Sequence, residues 1–532
     1  MKKTYIINIS KIIKKVIFFL SFISLCMESS AQDIGDFTSV EPLVQNSDFV
    51  IPSTHIFQKI IEAGDPLTEG GVLPIKNDFT GYVPISGSSE NGFLCINSED
   101  TPGGASILNI NFNLSSDLWE TTLSQAINFD GVAGTARNCS GTITPWNTFV
   151  SCEEQISTVD SNNDNYYDLG WCVEIDPVSK TVIDKRWALG NFRHENIVVH
   201  SNLRTVYEGA DSNPGYLYKF VANNVQDLSA GDLYVYNGSK DGPGNWILLN
   251  NSTPSERNTV LTQSADVNAT VFDGIEDVEI GPDGLIYFAV KGENLVYRFQ
   301  DSDPISGTSV PNMEPYVGNT SYDISYENGT SSATWGYGND NLAFDGQGNL
   351  WVLQDGGRNY IWVVENGHSQ ATPLVRVFGR SPSGSEPTGI TFSPDYRFLF
   401  ISLQHPNIEN SSSTQIDAAG DIVDFSKGIS LVIARNENLG NGTLGLNDFL
   451  INEPLLYPNP STGNFKIALD KSYSEIEVFV YGINGQLVLT KDKIPPSIEI
   501  INIDLSNQKP GIYFFNIKSE GKTTRIVKAI KE

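Results

Sequence analysis

Positive charge, cysteine, histidine and methionine are all scarce in this chain. Its 532 residues include 34 Lys and Arg against 63 Asp and Glu, a formal charge of −29, with only 5 Cys, 5 His and 3 Met. A chain so short of basic surface is poorly equipped for nucleic acid or anionic membranes, so neither is expected as a partner. The apolar run Val16–Leu25 is too short to cross a bilayer, and no stable membrane span is expected. No Gly-Lys phosphate loop is evident and no Ser-His-Asp arrangement stands out among the five histidines, so neither P-loop nor triad chemistry is indicated. Helix signals are few.

The N-terminus reads as a targeting segment. Lys2, Lys3, Lys11, Lys14 and Lys15 precede the apolar run, and Ser29-Ser30-Ala31 forms a small-residue cleavage site. A signal peptide is therefore expected over 1–31. No twin-arginine pair is present, which favours the general secretory route. Removing the leader leaves Cys95, Cys139, Cys152 and Cys172. An even number of cysteines in an exported chain suggests disulfides, and the sequence does not choose among the pairings.

Asn, Gly, Ser, Thr and aromatic residues recur between short alternating apolar runs, an all-β pattern. Six such runs stand at roughly regular intervals: Phe93–Asn97, Thr148–Cys152, Thr205–Gly209, Leu285–Ala289, Asn349–Leu353 and Phe398–Ser402. Several precede a second strand, as in Gly215–Phe220 and Asn294–Phe299. A small sheet cannot bury both faces alone, whereas sheets in a ring cover one another. The pattern predicts a six-bladed β-propeller over 32–452, with a β-sandwich or solenoid as the alternative. A second run of strands over 453–532 predicts a small Ig-like β-sandwich.

The inner strands of propeller blades converge on a central channel, so carboxylates from distant segments can meet there. The candidates beside the repeated strands are Glu153, Glu154, Glu195, Glu208, Asp211, Glu276, Asp277, Asp340, Asp355 and Glu386. The segment Gly134-Thr-Ala-Arg-Asn-Cys139 runs through Thr144-Pro-Trp146 to Cys152-Glu153-Glu154. On a strand Cys152 and Glu154 face one way and Glu153 the other. Thiolate with carboxylates suits both a transition metal and a hard cation such as calcium.

That segment resembles the signature of the PhoX-like alkaline phosphatases. Phe192-Arg-His-Glu195, Gly215-Tyr-Leu-Tyr-Lys-Phe220, Phe272-Asp-Gly-Ile-Glu-Asp277, Asp340–Asp345 with Asn349-Leu-Trp351, and Glu386-Pro-Thr-Gly389 through Gln404-His405-Pro406 follow in the family's order. The resemblance implies a six-bladed propeller with phosphomonoesterase activity and an iron–calcium cluster, Fe3+ and Ca2+. It implies Cys152 as iron ligand (Cys139 also matches a family cysteine), with Glu153, Glu154, Glu195, Glu208, Asp211, Glu276, Asp340 and Glu386 as further metal ligands. His405 matches the family as a residue at the site. Ser98 stands where the family has histidine. Ser383 stands where it has arginine, which leaves Arg380, with Arg193 and Arg358 as other choices, for the phosphate contact.

The other end resembles the C-terminal sorting domain of type IX secretion cargo. Pro458-Asn-Pro-Ser-Thr-Gly463, Gly482-Ile-Asn-Gly485, Gly511-Ile-Tyr513 and the basic last strand carry the match. It implies the type IX machinery as partner and a secreted or surface location. The expected function is a secreted, metal-dependent, monomeric phosphatase acting on small phosphate esters. The competing readings are another propeller hydrolase (phosphodiesterase, phytase-like or lactonase) and a non-catalytic, calcium-stabilised propeller that binds glycan or protein.

Overall fold

A computed structural model describes residues 33–440, 455–468, 476–483, 485–494, 500–519 and 522–532. The expected leader and the expected boundary between 452 and 453 lie outside the described residues. The chain divides into two compact units, Met1–Gly442 and Thr443–Glu532.

The first unit contains six four-stranded antiparallel blades. Blade 1 is Asn77–Pro84, Asn91–Ser98, Gly104–Asn113 and Leu118–Ala126. Blade 2 is Asn138–Ile143, Phe149–Glu153, Cys172–Asp176 and Thr181–Lys185. Blade 3 (His194–Val199, Thr205–Ala210, Leu217–Asn224, Asp227–Gly238) and blade 4 (Ile275–Ile280, Ile286–Val290, Leu295–Gln300, Ser309–Gly318) are joined at their outer edges. The strand Gly242–Leu248 pairs with both outer strands there and makes one nine-stranded sheet. Blade 5 is Asn339–Phe344, Leu350–Gln354, Tyr360–Val364 and Val375–Arg380. Blade 6 takes Glu386–Phe392, Phe398–Gln404 and Ile429–Arg435 from the end of the unit and its fourth strand, His55–Glu62, from the beginning. This exchange ties the two ends of the ring together by backbone hydrogen bonds and removes two open sheet edges. The first strands of the blades pack against one another in a closed circuit.

The apolar cores lie between blades, which is why six sheets require a ring. Phe79 and Phe93 of blade 1 meet Phe149 and Val173 of blade 2. Val150 and Cys172 of blade 2 meet Phe220 of blade 3. Trp351 and Phe378 of blade 5 meet Ile401 of blade 6, whose other face packs Phe400 and Val432 on Leu94 of blade 1. Alternation along each strand supplies one apolar row to each neighbour.

Each first strand carries a register irregularity close to its start: Asn77/Thr80, Asn138/Gly141, His194/Ile197, Ile275/Val278, Asn339/Leu342 and Thr388/Ile390. A bulge re-aims the side chains beside it. In blades 1 to 5 the irregularity spans the residue that faces the channel; in blade 6 it falls at Gly389, past Glu386.

The second unit is a two-sheet sandwich. One sheet holds Leu455–Tyr457, Asn464–Ala468 and Ile500–Asp504; the other holds Leu487–Ile494, Ile476–Gly482, Gly511–Ser519 and Lys522–Lys531. Phe465, Ile467, Val480, Ile503 and Phe515 fill the space between them. Just past the strand Ile476–Gly482, Gly485 N donates to Gly482 O at 2.9 Å.

Candidate metal centre

The acidic residues gather by a simple rule. Every blade sends two side chains into one cavity: one from the start of its first strand, one from the residue just after its second strand. The pairs are Asp78 and Glu99, Cys139 and Glu154, Glu195 and Asp211, Glu276 and Lys291, Asp340 and Asp355, and Glu386 and His405. Arg137 completes the lining of a cavity of about 260 Å³. Nine carboxylates and a thiol thus face two fixed cations, Arg137 and Lys291. Further along the same strands lies a second, larger cavity, of about 390 Å³, with more apolar walls including Phe79, Ile280, Leu342 and Ile390.

Two close-set donor groups lie within the acidic cavity. Asp78, Glu99 and Cys139 each place a ligand-type atom within 4.8 Å of the others, and so do Glu195, Glu276 and Asp340. Cys139 Sγ donates to Asp78 Oδ2 at 3.3 Å, and Thr388 Oγ1 donates to Asp78 Oδ1 at 2.6 Å. Arg137 bridges Glu99 at 3.1 Å and Glu154 at 3.2 Å. Lys291 bridges Glu276 at 3.0 Å and Asp355 at 3.3 Å. His405 Nε2 stands 3.7 Å from Glu99 and 3.6 Å from Glu386.

Two cations do not neutralise nine carboxylates. Burial, then repulsion from Glu276 and Asp340, pushes the Glu195 carboxyl well above the ordinary range. Burial with Asp211 does the same to Glu276, and burial with Asp355 does it to Glu386. Asp340 is raised by burial although Lys291 opposes it. Burial and Asp211 lift Glu154 to about 8; burial and Glu99 lift Asp78 to about 7. The Cys139 thiol is raised by burial and by Asp78. Such a site holds protons when it lacks cations, and cations would displace them.

Several expected ligands sit elsewhere. The strand containing Cys152 continues to Glu153, so only Glu154, past its end, turns into the cavity. Cys152 is buried in the core between blades 2 and 3, and Cys139 occupies the cavity instead. Glu153 accepts from Gly170 N at 2.9 Å and Trp171 N at 3.1 Å and pairs with Lys185 at 2.9 Å. Glu208, three residues before Asp211, lies within its strand and meets His194 at 3.1 Å. Arg380 ends the last strand of blade 5; it is buried away from the cavity, with Nε and Nη1 unpartnered. Neither Arg193 nor Arg358 lines the cavity; Arg137, unassigned in the sequence, and Lys291 supply its positive charge. Glu154, Glu195, Asp211, Glu276, Asp340, Glu386 and His405 are brought together. Asp277 lines the larger cavity and accepts from Leu342 N at 2.7 Å. All four described cysteines are free thiols.

Asp78, Glu99 and Lys291 were missed. All three belong to the repeated pair of positions, and that repeat was their only signal: aligning the first and second strands of the blades would have exposed them.

The profile of the family described as alkaline phosphatase PhoX matches residues 116–407. The chain belongs to the PhoX family of alkaline phosphatases. Among solved structures, PhoX of Pseudomonas fluorescens in complex with vanadate, a transition state analogue, is 22% identical, with a TM-score of 0.59 over 76% of this chain and 99% of that one. A catalytically inactive virginiamycin B lyase from Staphylococcus aureus with quinupristin is 12% identical, with a TM-score of 0.35 over 71% of this chain and 99% of that one. A search of curated proteins finds no match. The secretion system C-terminal sorting domain matches residues 455–532 and marks this PhoX-family chain as secreted or held at the cell surface. No helix among the described residues is long and apolar enough to cross a membrane.

Proposed function

We propose that this protein hydrolyses phosphate monoesters outside the cell and does so only when loaded with metal ions. The observation that carries the reading is the convergence of six blades' paired side chains on one over-acidic cavity. The donor sets fit the implied ions. Asp78, Glu99 and Cys139 offer the mixed thiol and carboxylate set that suits iron. Glu195, Glu276 and Asp340 offer only oxygen, which suits calcium.

When bound, iron and calcium would supply the positive charge that lets a phosphate dianion approach and that stabilises its departing oxygen. The chain's own residues prepare that event. Arg137, about two-fifths exposed, stands at the cavity with donors directed at Glu99 and Glu154. It can turn one N–H toward a phosphoryl oxygen while keeping the other pairing. Lys291 holds Glu276 and Asp355 in place and leaves a fixed positive charge within the ring. His405 stands at the more open side, between Glu99 and Glu386, where a leaving alcohol can exchange a proton with it.

The test is hydrolysis of p-nitrophenyl phosphate by the full chain, chelated and then resupplied with iron and calcium. Turnover that appears only on resupply, with bis-p-nitrophenyl phosphate left intact, supports the reading. A loaded protein that turns over only the diester, or neither ester, refutes it.

A further inference from the structure

A second group of soft and hard donors lies buried in the core between blades 2 and 3, outside the acidic cavity. Cys172 starts the third strand of blade 2, His194 the first strand of blade 3, and Glu208 lies in the second strand of blade 3. All three side chains are buried, and their ligand-type atoms lie within 4.8 Å of one another. Cys172 Sγ is 3.3 Å from His194 Nδ1, which is 3.1 Å from Glu208 Oε2. Cys152 flanks them, directly opposite Cys172 on the neighbouring strand, with its Sγ 3.7 Å from that of Cys172.

The histidine tautomer decides what this cluster can be. His194 Nε2 lies 2.9 Å from the carbonyl oxygen of Gly190, so that nitrogen carries the hydrogen. Nδ1 of the neutral ring therefore presents a lone pair, and it points at a thiol and a carboxylate. An N–H to backbone carbonyl bond on the far nitrogen is the usual support of a metal-bound histidine. Protons alone serve the cluster poorly. One proton must sit between Nδ1 and Glu208, and Glu208 Oε1 is left buried without any hydrogen-bond partner. The spacing also suits an ion. Tetrahedral zinc bonds of about 2.3 Å to sulfur and about 2.0–2.2 Å to nitrogen and oxygen separate the donors by roughly 3.3–3.8 Å.

We propose that Cys172, His194 and Glu208 form a structural site for a zinc-class divalent ion, separate from the acidic cavity, with Cys152 beside Cys172 able to turn in as a fourth donor. The ion clamps blade 2 to blade 3. It also fixes the start of the strand whose next residue, Glu195, enters the catalytic cavity. Its binding releases thiol protons to solvent and requires no oxidant.

Cobalt(II) is the probe, because thiolate bound to it absorbs in the near ultraviolet. The full chain, stripped by chelation under reducing conditions, is titrated with Co(II) alone. The band should appear in the wild type and persist in Cys139→Ser, which removes the cavity's own thiol. In that Cys139→Ser background the band should be lost or sharply weakened in Cys172→Ser, and Glu208→Gln should weaken Co(II) affinity by about tenfold or more. Should Cys172→Ser fail to fold, the near-isosteric Glu208→Gln decides alone. A band unchanged by the Glu208 or Cys172 substitution overturns the proposal. So does an intact mass of the native protein two hydrogens light, lost on reduction and absent from Cys172→Ser, which would show a Cys152–Cys172 disulfide instead.

Discussion

Neighbouring residues in this chain do opposite work. Glu153 and Lys185 form an ion pair with both side chains fully buried. Glu153→Gln leaves the lysine charge without its partner, a loss of roughly 3–5 kcal/mol in chemical denaturation. Glu154, one residue on, faces the cavity and is held up at about 8 by burial and by Asp211. The same contrast applies to Glu195. Glu195→Gln replaces a carboxyl that must take up a proton on folding near neutral pH, so the metal-free protein should melt higher than wild type. The loaded protein should lose about 100-fold or more in kcat/KM for p-nitrophenyl phosphate, because a proposed metal ligand is gone. A variant that melts lower when metal-free, or keeps full activity, contradicts this assignment. At this scale the sequence identified the acidic residues beside strands but took both Glu153 and Glu154 as ligands, whereas only Glu154 turns inward. Cys152 and Glu153 still belong to a strand that feeds the blade core, and Glu154 does not. Where a strand ends is set by hydrogen bonding to its neighbour, which one sequence records only weakly.

At the level of the strand, the six aromatic-rich runs seen in the sequence are the second strands of the six blades, where alternating burial on two sides leaves a clear pattern. The first strands were harder to see. Their outer residues pack between blades, while their opening residues carry polar site groups and a bulge. Polar residues at a strand's start look like loop. Gly389, in the bulge of Glu386–Phe392, shows how tightly these strands meet. Its φ is +54°, and a Cβ there would lie 2.4 Å from both Phe79 Cα and Thr80 N of blade 1. Its N–H also donates to Asn341 Oδ1 of blade 5 at 2.5 Å. Gly389→Ala should cost roughly 3 kcal/mol or more in denaturant titration and release Glu386 from its place in the cavity. A neutral effect would mean that the ring does not close at this seam. The fourth strand of blade 6, His55–Glu62, was invisible as such, because pairing across nearly the whole unit leaves no local trace.

For the molecule as a whole, acidity and export are linked to cation supply. Carboxyls raised in the folded state hold protons that the unfolded chain gives up near pH 4. Their contribution to stability is therefore complete below that pH and is lost as pH rises through the folded values, about 7 for Asp78 and about 8 for Glu154. The metal-free protein should have a melting temperature that falls steadily between pH 4 and pH 8, and calcium with iron should abolish the fall. A flat profile without metal would show that the cavity does not carry the strain assigned to it. The sorting domain adds a cellular expectation: deletion of residues 455–532 should retain the protein inside the cell envelope, as fractionation with an antibody would show. The most direct measurement is the rate of p-nitrophenyl phosphate hydrolysis by the purified full chain, alongside its iron and calcium content. The account predicts no turnover after chelation, recovery when both ions are restored, and no recovery in Glu195→Gln. Turnover that survives complete removal of metal, or a folded protein that takes up neither ion, would contradict it.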